Sequence, residues 1–211
     1  MTDYLRDPAE IYRRSFAAIR AECDLARLPP DIARVALRLV HACGMPDIVD
    51  DLAFTPGAAD AGRAALDAGA AVLCDTPMVV QGIQRRRLRR KTDVICTLDA
   101  PETAARAAAE HTTRAAAAVG GWRPLLAGSV VAIGNAPTAL FRLLDELAAG
   151  APGPALILGF PVGFVGAAES KEALAAGSHG VPFITIRGRR GGSAMAVAAV
   201  NALGGNPEEL P

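Results

Sequence analysis

Lysine is almost missing from this 211-residue chain: Lys91 and Lys171 are the only two, and arginine supplies the rest of the basic side chains. Aromatic residues are also scarce at 4%, too few for the stacking platforms of a single-strand nucleic-acid binder. Net charge is absent, because 22 basic and 22 acidic residues cancel. A strong general affinity for nucleic acid or for an anionic membrane is therefore not expected. Cys23, Cys43, Cys74 and Cys96 are dispersed, with no Cys-x-x-Cys pair and only His41 close to Cys43. That spacing does not make a zinc site, and no metal is expected. Gly, Pro or a charge interrupts every apolar run before it reaches membrane-spanning length. The segment from Met1 to Arg6 is polar and flows into a helix start, so no signal peptide is read there. A cytoplasmic protein with reduced thiols is the expectation.

What remains is a folding chain. Hydrophobic residues make up 51% and charged residues 21%, which excludes disorder. The length suits one domain over residues 1–211 that needs no disulfide or metal staple. Alanine, about a fifth of the residues, favours helix. The many arginine forks suit bidentate recognition of carboxylates.

The first part reads as helical. Asp7-Pro8-x-Glu10 is a helix start, and Tyr12, Phe16, Ile19 and Cys23 follow at helical spacing. Pro29-Pro30 is expected to break that helix and Asp31 to cap the next. There Ile32, Val35, Ala36, Leu39 and Cys43 form an apolar face, ended by Gly44 and Pro46. Beyond about residue 68, short apolar runs at 71–74, 94–98, 130–133, 155–158 and 183–186 alternate with helical stretches at 104–119, 137–149, 169–176 and 193–203. Runs apolar on both faces are strands covered on both sides. The pattern predicts an α/β fold: a parallel, doubly wound sheet of about five strands, with the helical N-terminal section packed on it.

In such a sheet, ligands bind beyond the C-terminal strand ends. Three of those ends are glycine-rich: Gly134-Asn135-Ala136-Pro137-Thr138, the loop 159–166, and Arg187-Gly188-Arg189-Arg190-Gly191-Gly192-Ser193. Either the glycines make tight turns into the helices that follow, or they open a shared anion site at helix N-termini. A nucleotide is disfavoured. No loop is G-x-x-x-x-G-K-[ST], and none is G-x-G-x-x-G in the first βα unit.

The helix at 31–43 carries a second stripe, Arg34, Arg38 and His41. In the last turn the helix dipole favours a protonated His41, whereas Arg38 opposes it by charge. A ligand carboxylate on Arg38 would relieve that repulsion and arm His41 as a proton donor. The alternative is a partly exposed histidine that closes a helix. His111 is read as mid-helix and His179 as part of a turn. Glu169 and Lys171 are read as a cap and an ordinary charge pair, and the basic run at 85–91 as either an anion grip or a solvated loop.

Four stretches together carry a resemblance: Val40-His41-Ala42-Cys43-Gly44, Gly134-Asn135-Ala136-Pro137-Thr138-Ala139-Leu140, the run from Pro161-Val162-Gly163 through Glu169-Ser170-Lys171, and Arg187-Gly188-Arg189-Arg190-Gly191-Gly192-Ser193-Ala194-Met195. In this order the chain resembles the precorrin-8X methylmutase family of cobalamin biosynthesis, from Ile11-Tyr12-x-x-Ser15-Phe16 to Asn201-Ala202-Leu203. The resemblance implies a cofactor-free isomerase that moves a methyl group from C-11 to C-12 of the macrocycle, giving hydrogenobyrinic acid. It matches His41 to the catalytic histidine, Ser15 and Arg38 to substrate contacts, and Arg114 to a further arginine near the ligand. It implies a homodimer with the polycarboxylate tetrapyrrole near the subunit boundary. The loop 84–91 departs from the family, which usually has a less basic, proline-containing turn there. A carrier that holds the acidic product without transforming it is a second reading.

Overall fold

The computed structural model describes Thr2, residues 4–88 and residues 90–205; Met1, Asp3, Arg89 and residues 206–211 of the polar start, the basic run and the tail lie outside the described residues. The first helix, α1 (Pro8–Glu22), starts as its sequence dictates: the Asp7 carboxylate accepts from the Glu10 N–H at 2.8 Å, with proline at the first position. It stops at Glu22, well before Pro29-Pro30, in a short 3₁₀ segment at Leu25–Arg27. The second helix, α2 (Pro30–Cys43), takes Pro29 as its cap. Asp31, expected to cap it, is instead a buried residue of its first turn. Gly44 ends α2 at φ +68°, a left-handed conformation that glycine adopts without strain, and its N–H reaches the Val40 carbonyl.

The remaining elements are β1 (Leu52–Phe54), α3 (Ala58–Ala68), β2 (Val72–Cys74), α4 (Pro77–Gly82), β3 (Val94–Ile95), α5 (Pro101–Ala109), α6 (Arg114–Gly120), β4 (Val130–Ile133), α7 (Pro137–Ala148), β5 (Leu156–Gly159), α8 (Ala167–Ala176), β6 (Phe183–Ile186) and α9 (Ser193–Gly204). The strands form one six-stranded sheet in the order β1-β6-β5-β4-β2-β3. Every pair is parallel except β1–β6, where Leu52 faces Ile186 and Phe54 faces Ile184. The α/β fold is as read, with one strand beyond the five and that one antiparallel. The expected helix at 104–119 is two helices. His111 adopts φ +48° between them, and Thr113 caps α6 by accepting from the Ala116 N–H at 3.2 Å. The run at 94–98 is a strand only at Val94–Ile95.

The sheet divides two cores, which explains strands that are apolar throughout. Val130, Ala132, Leu156, Leu158, Ile184 and Ile186 face α1, α2, α3, α4 and α9. Val131, Ile133, Ile157 and Phe183 face α6, α7 and α8, with Trp122 fully buried among them. Alternation is present, but both faces are covered. No helix among the described residues is long and apolar enough to cross a membrane.

Gly134, Gly159 and Gly188 do lie at the C-terminal ends of parallel β4, β5 and β6. The first of the three loops is not open to an outside anion. Asp75, at the end of β2 and 2% exposed, accepts from the N–H groups of Gly134, Asn135 and Ala136 at 2.9, 2.9 and 2.8 Å. An internal carboxylate thus fills the first loop. Burial raises the Asp75 carboxyl pKa, against the opposing pull of those N–H groups. The loops also bond to one another: Val162 N–H to the Asn135 carbonyl of the first loop, Gly163 N–H to Arg189 and Gly192 N–H to Phe160. Gly191 lies so close to the Phe160 and Pro161 carbonyls that any Cβ would strike them.

Lys171 does not form the expected charge pair with Glu169. It is 1% exposed and donates from Nζ to the Arg190 carbonyl, bracing the loop that leads into α9. Burial pushes its pKa down from 10.5 to about 8. Between those values the unfolded chain holds a proton that the native state has released, so stability rises with pH across this window. The wild type is expected to gain at most about 3 kcal/mol relative to Lys171→Met between pH 8 and 10.5. Denaturant midpoints of the two proteins measured across that range check it; parallel curves would refute it.

Candidate active site

A cavity of about 470 Å³, open on one side, lies where α1 and α2 meet α4 and α9. Tyr12, Arg38, His41, Met78, Gln84, Ser193, Val197 and Asn201 are among the residues that line it. Of the three glycine-rich loops, only the last contributes, through Ser193 and Ala194 at the start of α9.

His41 occupies the last turn of α2. Its Nδ1 shares a 2.9 Å hydrogen bond with the Ser15 hydroxyl of α1. Its ring stacks on Tyr12 with centroids 5.5 Å apart and meets Phe16 at 5.0 Å. Helical spacing in α1 places these three side chains against α2: Tyr12, Ser15 and Phe16 share one side of the helix. The bond to Ser15 fixes the ring and leaves Nε2 as the nitrogen able to serve a ligand. Partial burial lowers the His41 pKa below 6.5, and the Arg38 charge lowers it further. Both effects act against the helix dipole, which favours the charged ring.

Arg38 is 8% exposed, with its guanidinium 5.0 Å from the Phe16 ring. Its Nε has no hydrogen-bond partner, and no carboxylate among the described residues lies within ion-pair distance. Burial lowers its pKa, as does the charge of Arg87, while Tyr12 opposes the shift. A buried arginine that lines a cavity and has no carboxylate partner among the described residues is suited to an anionic ligand.

The structure therefore brings together His41, Ser15 and Arg38. Arg34 belongs to the same sequence stripe but turns away to Asp60 at 3.8 Å. Arg114 does not line this cavity. It is exposed at the start of α6 and binds Asp99 and the Leu98 carbonyl. Sequence reasoning took Tyr12 for a core position, reached Gln84 only as the start of the loop 84–91, and gave no site role to Met78 or Asn201. A signal for Asn201 exists: it is a buried polar residue in a helix apolar on all sides. Among the described residues no cluster of three or more His, Cys, Asp or Glu could hold a metal ion.

The family model for precorrin-8X methylmutase (CbiC) matches residues 10–205. The chain is similar to a precorrin-8X methylmutase of Pseudomonas aeruginosa, 64% identical over 96% of this chain and 98% of that one. It is 36% identical to a cobalt-precorrin-8 methylmutase of Priestia megaterium, over 93% and 87% of the two chains. A solved precorrin-8X methylmutase from Thermus thermophilus superposes with a TM-score of 0.83 at 39% identity, covering 92% of this chain and 94% of that one.

Proposed function

The chain belongs to the precorrin-8X methylmutase family, isomerases of cobalamin biosynthesis, and from that premise we propose that the His41 cavity moves the methyl group of precorrin-8X from C-11 to C-12, releasing hydrogenobyrinic acid. The observation that carries the reading is the cluster at the cavity mouth. One titratable ring is held by Ser15, walled by Tyr12 and Phe16, and flanked by a buried arginine without a counter-ion.

The chemistry asks little else of the protein. The C-11 carbon–methyl bond breaks and the C-12 bond forms within one molecule, so substrate and product are isomers and no net proton is consumed. His41 donates a proton to a ring nitrogen, which favours the tautomer from which the methyl migrates, and takes it back afterwards. Arg38 holds a peripheral carboxylate. The Ser15 hydroxyl, one bond of which is spent on His41, keeps capacity for a second bond to the substrate. We take the natural substrate to be the metal-free precorrin. Relatives named for it reach 64% and 58% identity, with the Thermus protein at 39%, whereas those named for the cobalt form reach 36%. We further propose that the protein works as a homodimer and that Arg114, exposed and outside its own chain's cavity, meets the tetrapyrrole across the subunit boundary.

The reading is tested by incubating the purified chain with precorrin-8X, metal-free and cobalt-loaded, and following the absorbance change. Conversion supports the isomerase; tight binding without conversion would leave a carrier. On the same assay Arg38→Ala is expected to raise KM and weaken product binding by about tenfold or more, with a smaller change in kcat. A fork on a peripheral carboxylate holds ground state and transition state alike. A loss confined to kcat at saturating substrate would instead place Arg38 in the chemistry.

A further inference from the structure

We propose that Gln84 and Arg87 form a second carboxylate-recognition element of the cavity, one that makes this chain prefer a macrocycle with free acid side chains; the inference rests on the reading of the cavity as the corrinoid site. Gln84 lines the cavity together with Arg38 and His41. Its backbone is pinned by a buried side chain of α9: the Gln84 N–H donates to Asn201 Oδ1 at 2.9 Å, and Asn201 Nδ2 donates to the Gly82 carbonyl at 3.3 Å. Behind it stands Arg87, half-buried, whose Nε donates to Gln84 Oε1 at 3.0 Å. That bond orients the amide. Its oxygen is turned to the guanidinium, so the two Nε2 hydrogens are left for a ligand.

Arg87 is seated by the bare backbone at the end of α9. A Cβ on Gly205 would come within 2.6 Å of its Nη1, and one on Gly204 within 3.0 Å of its carbonyl oxygen. Among the described residues no carboxylate pairs with Arg87 or with Arg38, although Arg13, Arg114, Arg142 and Arg190 each have an acidic partner. Two guanidiniums therefore serve one wall, close enough for the charge of Arg87 to act on Arg38, with no carboxylate among the described residues paired to either. The Gln84 donors and the shared positive field both ask for carboxylate. An ester or amide at the same place could accept a hydrogen bond but would leave both cations unneutralised. The basic turn at 85–87 thereby acquires a function that its composition alone left open. Gln84 is the contact residue; Arg87 acts through it as a positioning and charge-supplying residue.

The probes are hydrogenobyrinic acid and its peripheral methyl ester, titrated into the full-length protein and followed by absorbance. Arg87→Met is expected to weaken binding of the acid about tenfold, the worth of one charge-assisted contact, and binding of the ester by less than twofold. Gln84→Leu removes the contact itself and should weaken both ligands, the acid more than the ester, whereas Arg87→Lys should recover part of the loss for the acid only. An equal loss for acid and ester would mean that Arg87 merely shapes the wall, and no loss for either would mean that it is a bystander; both outcomes overturn the proposal. Thermal melts by circular dichroism accompany each variant. If Arg87→Met is poorly folded, Arg87→Lys against the wild type on the two ligands decides. Wild-type protein that binds neither ligand would refute the corrinoid reading itself, whereas a wild type that binds the acid no better than Arg87→Met does would refute only this inference.

Discussion

His41→Ala is expected to bind hydrogenobyrinic acid yet isomerise precorrin-8X at least about 100-fold more slowly than the wild type, the scale of a lost general acid. Binding survives because arginine and the start of α9 carry it, not the imidazole. The fold survives because His41 sits at the exposed end of α2 and fills no core position. The same geometry sets the sign of the pH dependence. In the empty cavity burial and Arg38 hold the His41 pKa below 6.5. A donor must be protonated, so kcat/KM falls as pH rises through that lowered value. In the complex a carboxylate on Arg38 cancels the repulsion and raises the pKa, so the alkaline fall in kcat lies at higher pH than the fall in kcat/KM. Coincident limbs would show that ligand charge does not arm the histidine. Near wild-type turnover by His41→Ala would show that the acid is elsewhere.

The second large effect falls on stability. Asp75→Ala removes the acceptor of three N–H groups at the head of α7 and leaves them without partners beside the sheet. Orphaning buried donors of a charged acceptor costs roughly 3–5 kcal/mol, which in a chain of this size lowers Tm by about 10 °C or more. Asp75→Asn should fall between the two, because its amide oxygen can still accept while its NH₂ opposes the remaining N–H groups. Calorimetric melts of the three proteins check the order. An Asp75→Ala melting temperature equal to that of the wild type would mean that water replaces the carboxylate without loss.

Both predictions show what the sequence makes legible. β4, β5 and β6 are readable because strands buried on both faces must be apolar throughout, and few other elements of four residues look that way. β1 is not readable. It is three half-buried residues, Leu52-Ala53-Phe54, and exists only because β6 offers an edge. The break between α5 and α6 is hidden by alanine, whose propensity runs through 104–119, while the stop depends on the φ of His111 and the cap from Thr113. In the site, Arg38 and His41 are legible as one helix face because they are local to α2. The same stripe includes Arg34, one turn earlier, but there α3 supplies Asp60 as its partner. Met78, Gln84 and Asn201 reach the cavity from α4, the turn after it and α9. No local period connects them: Asn201 stands out as a polar residue in an apolar helix, but only the tertiary fold shows that the three meet. Asp75 is a single acid after an apolar run, and its partners lie about sixty residues away.

The central claim is that the His41 cavity transfers a methyl group within one macrocycle. Precorrin-8X carrying carbon-13 in the C-11 methyl, incubated with the purified protein and read by NMR, tests it directly. The labelled carbon is expected to appear as the C-12 methyl of hydrogenobyrinic acid with the wild type, and to remain at C-11, bound but unmoved, with His41→Asn. Label that stays at C-11 with the wild type, or that moves equally well with His41→Asn, would contradict the account.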